Sequence, residues 1–582
     1  MSPSTRTAGF ALMLLCWLAA CSAPAPPAPP AVAAAPADPW PEFSARFLEE
    51  YFRANPFFAV EAGRHEFDGQ MPDFSAAGIA SQVALLKRLR SQAQGIEAAA
   101  LTVPEREERE HLFVVIDTDL FWLERARAPF RSPSWYIEQL DPDVYLNRPY
   151  APLAQRLQAY LGYARAIPKI AAAVRANLAT PMPRTFVERG IAGFGGFADF
   201  YGKDVAAVFA EVKDPKAQEE LRQANAAAAA AMQQLKTWLE GERAHATQDF
   251  ALGEPLFLEM LRSTERVEVP VAKLLEIGEA DLKRNTEALS GACARLLPHG
   301  SLAACVDKMN ADKPAGGAVA GARAQLSLLR AFVIDKNIVS VPGDEQALVA
   351  EAPPYNRANA AYINIPGPYE KNLPYVYTIS PPDPAWSARE RAEYIPGQAS
   401  LLYTSVHEVW PGHFLQFLHA NRNPSKVAGL WVGYAYAEGW AHYAEQLMWD
   451  EGLGAGDPGQ HVGQLVNALE RNVRYLASIR LHTAGLTVAQ AERMFREQAF
   501  LDPGDARQQA ARGTYDPQYL DYTLGKLMIM KLRADWVAQQ PGAAAAADPK
   551  KYWHDFHDRF LSYTGPIPAV RAAMVGEGGS LL

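Results

Sequence analysis

The chain of 582 residues is 49% hydrophobic and 21% charged, an ordinary globular balance that excludes a mainly disordered or collagen-like protein and is too long for a small module. Its 56 Lys and Arg against 65 Asp and Glu give a net charge of −9, with no basic block along the chain. Nucleic acid is therefore not an expected partner, because nothing neutralises a phosphate backbone.

Residues 1–20 read as an address. Arg6 precedes an uncharged apolar run of 13 residues, Ala8 to Ala20, far below the roughly 20 a helix needs to cross a bilayer. The end of that run, Leu18-Ala19-Ala20-Cys21, resembles a bacterial lipoprotein signal, in which the cysteine becomes the lipidated first residue. Residues 21–39 are rich in Pro and Ala and read as a tether. The expectation is an exported lipoprotein on the periplasmic side, anchored in the outer membrane through Cys21. Cys293 and Cys305 are then an even pair in an oxidising compartment and a candidate disulfide.

Residues 40–582 read as one domain in two halves. From 40 to 333 the pattern is amphipathic helix, as in Leu153 to Leu178 with Leu157, Tyr160, Leu161 and Ala164 at three- and four-residue spacing. The alanine run Ala226–Ala231 leads into Met232, Leu235 and Leu239 and predicts one long helix. The second half, 334–582, opens with two short strand patterns, Asn359–Ile365 and Tyr375–Ile379. Ser387-Ala-Arg-Glu390 then matches a capping box, and a helix is predicted from Val427 to Trp449.

The chemical centre follows. His407-Glu408-Val-Trp-Pro411-Gly412-His413-Phe-Leu-Gln416 begins like a zincin helix, where two histidines four apart bind zinc and the glutamate between them acts as base. Here Pro411 takes the fourth position. On a regular helix His407 and His413, six residues apart, point roughly 120° away from each other. Pro411 lacks an N–H and Gly412 tolerates nearly any backbone geometry, so a break there can swing His413 back. Further on, Glu438, His442 and Glu445 share one face with Trp431 and Tyr434. Buried carboxylates on that face need a partner, and one zinc ion held by His407, His413 and Glu438 supplies it, leaving a coordination position open. His65-Glu66 also begins like a zinc motif but has no second histidine in reach and reads as structural. His419 and His461 read as polar-face residues, and Met528 and Met530 as core.

At these residues the chain resembles the bacterial domain-of-unknown-function family 885, whose signature His-Glu-x-x-Pro-Gly-His-x-x-Gln it carries in full, with Glu438-Gly-Trp-Ala matching as well. Weaker likeness extends to Gly63–Asp68, to Arg474 through Gly485, and to Tyr522–Gly525. The chain departs at Ser478, where the family usually has Asp, and at Pro517-Gln-Tyr-Leu. The resemblance implies a mainly α fold, an elongated helical body like the zincin metallopeptidases with a deep cleft and a small antiparallel β-sheet beside the metal helix. By position, Ala360–Ile365 is the strand that would pair with an extended peptide.

The function so implied is a zinc-dependent hydrolase of peptide bonds, a carboxypeptidase or oligopeptidase, in which Glu408 assists the attack of zinc-bound water. Tyr522, His442 and His482 are the candidates for stabilising the oxyanion. Arg474, Arg480 and Lys526 are the candidates for holding a terminal carboxylate. Two other classes stay open: a membrane-tethered binding or scaffold protein with a non-hydrolytic site, and an amidase acting on cell-wall peptides or a non-peptide amide. Retention of Glu408, which only hydrolysis needs, weighs against the first.

Overall fold

A computed structural model describes residues 39–357, 360–542 and 548–582. The signal, Cys21 and all of the tether except Pro39 lie outside the described residues, as does Asn359 of the predicted strand. The first helix begins at Pro39 itself, with Trp40, Phe43, Phe47 and Phe52 buried along it.

The fold is mainly helical. Leu153–Asn177 forms the helix its apolar spacing predicts, burying Leu157, Tyr160, Leu161 and Ala164. The alanine run lies in one helix, Pro215–Glu242, started by Asp214, whose carboxylate accepts from the N–H groups of Lys216 and Ala217. Ala224, Ala228 and Ala231 face inward there, and the small side chains let it lie along Arg184–Lys203. These helices share one hydrophobic cluster, while a larger one takes in the second half. Among the described residues no helix is long and apolar enough to cross a membrane.

The strands are three, β1 (Ala347–Glu351), β2 (Ala361–Asn364) and β3 (Tyr375–Ile379), in the order β1-β3-β2. This corrects the antiparallel expectation: β2 pairs antiparallel with β3, but β1 pairs parallel with it, Val349 opposite Tyr377. The sheet is mixed because its third strand arrives from 347–351, a segment without a clear period-two pattern. β2 lies at the sheet's edge, its other side free of backbone pairing among the described residues.

Six helices surround the site: α1 (Gln398–Glu408), α2 (His413–Ala420), α3 (Tyr434–Asp450), α4 (Pro458–Thr483), α5 (Pro503–Tyr515) and α6 (Asp521–Ala538). Ser387 caps the helix before α1 as its sequence predicts, accepting from the Glu390 N–H while Glu390 accepts from the Ser387 N–H. The predicted Val427–Trp449 helix is two: a short turn, Lys426–Leu430, leaves the helical region at Trp431 (φ −122°, ψ 105°), and α3 starts afresh after Gly433. Helices α3 and α6 meet glycine to glycine, a Cβ on Gly439 standing only 2.5 Å from the Gly525 backbone.

Cys293 and Cys305 are bonded, joining the end of Val271–Leu296 to the helix Leu302–Asn310 with Cα atoms 5.7 Å apart. A loop of that length contributes about 3 kcal/mol on the chain-entropy model. Replacing both cysteines by serine is expected to lower the unfolding free energy by about that much in a urea titration.

Glu265 and Asp521 make a buried acid pair, Glu265 accepting from the Ala435 N–H at the start of α3 (3.2 Å). Burial pushes Glu265 up to about 7 and, with Glu265 opposite, pushes Asp521 well above the usual carboxylate range. A raised folded-state pKa means stability that is complete below the ordinary value, about 4, and is lost as pH rises through about 7. Asp521→Asn is therefore expected to raise the melting temperature more at pH 8 than at pH 5, measured by thermal unfolding at both.

Candidate metal centre

The chain leaves α1 immediately after Glu408. Val409 (φ −124°, ψ −73°) breaks the helix, and α2 restarts at His413 after Gly412 (φ −71°, ψ −133°). Gly412 is required by close approach, since a Cβ there would collide with the His407 carbonyl, and its N–H reaches back to the Val406 carbonyl (3.0 Å). Trp440 of α3 holds the loop by donating to the Pro411 carbonyl (2.8 Å). The break brings the two imidazoles together, ring centroids 4.8 Å apart and planes at 89°.

Both rings aim Nε2 at one oxygen. Glu438 Oε2 lies 3.2 Å from His407 Nε2 and 3.2 Å from His413 Nε2, and one donor atom from each of the three residues falls within 4.8 Å of the others. Ligands of a single tetrahedral zinc stand roughly 3.3 Å apart, so this donor set fits one ion. The chemistry fits too: two imidazoles and a carboxylate, half-buried or buried, match a zinc site with an open position.

A second layer fixes the first. Glu445, fully buried one helix turn beyond His442, accepts from His407 Nδ1 (2.8 Å), which makes Nε2 the nitrogen a metal would take in place of its proton. Burial alone would push Glu445 up, but Arg471 (3.5 Å) and His407 outweigh it and hold the carboxyl well below the usual range. Burial likewise lowers His407, and the two carboxylates overcome that to push it up to about 9. For Glu438 burial opposes ionisation, yet the two histidines bring it well below its ordinary value. Glu408 differs in direction, because burial pushes it up; its Oε2, like that of Glu445, is buried without a hydrogen-bond partner.

Tyr522 of α6 stacks on His407, centroids 5.9 Å apart and 15° from parallel. Its hydroxyl accepts from Arg512 Nη2 (3.4 Å), and no acceptor takes its own proton among the described residues. The neighbouring Tyr434 differs, accepting from Arg512 (3.1 Å) and donating to Asp516 (3.4 Å).

A model of bacterial proteins of unknown function, DUF885, matches residues 56–571. The chain belongs to that family. The resemblance carried by His407–Gln416 is thus borne out along nearly the whole described chain. Two solved structures share the fold, a "putative lipoprotein of unknown function" from Shewanella oneidensis at 23% identity and a TM-score of 0.73, and a "putative lipoprotein" from Colwellia psychrerythraea at 17% and 0.76. Each alignment covers 92% of this chain and 99% or 98% of the other. An M32 carboxypeptidase from Deinococcus radiodurans aligns at 12% identity over 92% of this chain and 96% of its own, but at a TM-score of 0.35, too low to bear on function. No curated protein matches the chain.

Several residues singled out in this DUF885 sequence are committed elsewhere or buried away from the three ligands. His482 donates Nε2–H to the Gly513 carbonyl (2.8 Å) and accepts from the Leu252 N–H (3.3 Å), so both ring nitrogens are used and burial lowers it to about 4. His442 is fully buried behind Glu445, 3.6 Å from its carboxylate, and burial with the nearby Lys526 lowers it to about 4. Arg474 lies over the Tyr522 ring (4.8 Å) but is tied to Gln509 (2.9 Å) and Glu470. Arg480 points outward to Glu279 (2.6 Å), and Lys526 is fully buried, 3.9 Å from Asp281. His65 is structural, bridging Asp68 (3.1 Å) and Glu370 (3.3 Å) beneath Tyr150. The sequence reading missed Arg471 and Arg512; Glu445, seven residues after Glu438 on the same helix face, carried the only signal.

Because Glu445 sets the tautomer and angle of His407, Glu445→Ala is expected to weaken zinc binding by about 10- to 100-fold, checked by competition with a chromogenic chelator.

Proposed function

We propose that this protein is a zinc-dependent hydrolase of peptide bonds, a carboxypeptidase or oligopeptidase. The observation that carries the reading is Glu408: a buried carboxylate with an unpartnered oxygen, next in sequence to a histidine that Glu445 holds with its Nε2 toward His413 and Glu438. A site built only to hold an ion has no use for it.

His407, His413 and Glu438 would hold one zinc. When bound, the ion lowers the pKa of water and polarises the scissile carbonyl. Glu408 takes a proton from the attacking water and passes it to the leaving amine; its burial, by raising its proton affinity, suits both steps. Tyr522 meets the developing oxyanion, because it keeps a free proton beside His407 while His482 has none to give and His442 is sealed behind Glu445. The open edge of β2 supports a peptide substrate, since an extended chain can pair with it. The Cys21 motif, together with the description of the two solved relatives as lipoproteins, supports export and attachment to the outer membrane on its periplasmic side.

Two variants of the full chain test this. His407→Ala is expected to lose the roughly one zinc per chain that the parent retains through dialysis. Glu408→Gln should keep the zinc and lose about 10²- to 10⁴-fold in kcat/KM on an oligopeptide library, the range of a general base. Zinc retained by His407→Ala, or full turnover by Glu408→Gln, would sink the reading.

A further inference from the structure

Next to the ligand cluster lies a cavity of about 630 Å³. None of the three ligands lines it; it meets them through Tyr434 and Arg512, which touch Tyr522. Three guanidinium groups stand in its wall. Arg512 is matched by Asp516 (2.8 Å). Arg131 and Arg189 are not: among the described residues neither donates a side-chain hydrogen bond nor has a carboxylate within ion-pair reach. Arg189 Nε is buried without an acceptor, its guanidinium 6.0 Å from the Tyr515 ring centroid.

Ser132, beside Arg131 in the same wall, is 8% exposed, and its hydroxyl has no partner either. It holds the N-cap position of the helix Pro133–Ile137 but makes no side-chain cap bond. Among the described residues no carboxylate of the cavity lies within ion-pair reach of Arg131 or Arg189, although the charge of Arg189 draws Glu138 downward against its burial. Asp516 is taken by Arg512, Asp119 accepts from the Tyr51 hydroxyl (2.9 Å), and Glu138 accepts from the Ser134 hydroxyl (3.0 Å). Burial pushes the fourth, Glu61, up to about 7. Buried donors without acceptors are costly, and a planar anion is what two guanidiniums and a hydroxyl are suited to receive.

We propose that Arg131, Ser132 and Arg189 form an anion subsite, and that its ligand is the free C-terminal carboxylate of a short peptide. The naming of a peptide rests on the hydrolase reading; the anion subsite does not. Tyr434 and Arg512 link the cavity wall to Tyr522 beside the ligand cluster, and an occupant anchored at Arg131 and Arg189 would extend past them toward Glu408. In a peptide whose amide lies at Glu408, the carboxylate belongs to the fragment that leaves with the new amine. The subsite thus selects substrates cut near their C-terminal end.

The test is calorimetric, on the zinc-loaded full chain carrying Glu408→Gln. Three probes are compared: an N-acetylated tetrapeptide acid, its C-terminal amide, and an amide of the same length with an internal glutamate. The acid is expected to bind at least tenfold tighter than either amide, and Arg131→Ala with Arg189→Ala should bring that ratio below threefold. Should the double variant lose its zinc, Ser132→Ala and Arg189→Gln singly, each expected to cut the ratio severalfold, decide in its place. Equal binding of acid and amide, no binding of either, or a ratio untouched by these variants overturns the proposal. A glutamate-containing amide that binds as well as the acid overturns the C-terminal assignment. Turnover is read separately with Glu408 intact. Acid-selective binding without turnover retires the hydrolase reading and keeps the subsite, and equal turnover of acid and amide does the reverse.

Discussion

The hydrogen bond from His407 Nδ1 to Glu445 is the constraint on which the rest of the centre depends. An imidazole has one lone pair to give when its other nitrogen is a donor, and Glu445 decides which nitrogen that is. With Nδ1–H committed, Nε2 faces Glu438, and the backbone break at Val409–Gly412 need only return His413 to the same oxygen. The break in turn relies on a glycine that no side chain could replace, and on an indole that ties Pro411 to α3.

Such a cluster places charges largely out of water, and a buried carboxylate persists only where partners outweigh its desolvation. Glu445 has His407 on one side and Arg471 on the other. Arg471 is itself shared with Glu470 (3.1 Å) and the Asn467 carbonyl (3.2 Å) along α4. Behind them Lys526 and Asp281 face each other, with Asn472 donating to Asp281 (2.8 Å). The centre is thus supported by α4 and α6 as well as by the helices that carry its ligands. The Gly439–Gly525 contact makes this possible, because only a bare backbone lets α6 approach α3 closely enough to lay Tyr522 on His407.

How much of this was legible in the sequence divides by distance along the chain. The His407–His413 motif and the Glu438 stripe are local, and a helix period or a proline-glycine break can be read directly from neighbours. Long helices such as Leu153–Asn177 and Pro215–Glu242 announce themselves the same way. Tertiary partnerships do not. Arg512 reaches Tyr434 from 78 residues away, and a lone arginine in a polar helix carries no mark of it. β1 joins the sheet in parallel from a stretch with no alternation. The Trp431 break escaped because the aromatic stripe runs on through it with the right spacing. His482 is a candidate through the family likeness of its segment, yet two backbone groups use up both its nitrogens. Arg131 and Ser132 are neighbours, but nothing in the sequence ties them to Arg189, and only the common cavity relates the three.

Three glutamates of one kind stand within this small region, and their surroundings set them apart as firmly as different residue types would. Glu445 meets His407 and Arg471 through Oε1 and is held ionised to position a histidine. Glu438 is pulled down by two imidazoles that point at a single oxygen. Glu408, at the end of α1, has an oxygen with no donor, and burial leaves it the most reluctant of the three to ionise. Separation of proton affinities among neighbouring carboxyls is how a site assigns ligand, orienter and proton carrier without changing chemistry. Here the assignment follows from where each helix ends: α1 stops at Glu408, its last residue, while Glu438 and Glu445 sit two turns apart within α3 and share its inward face.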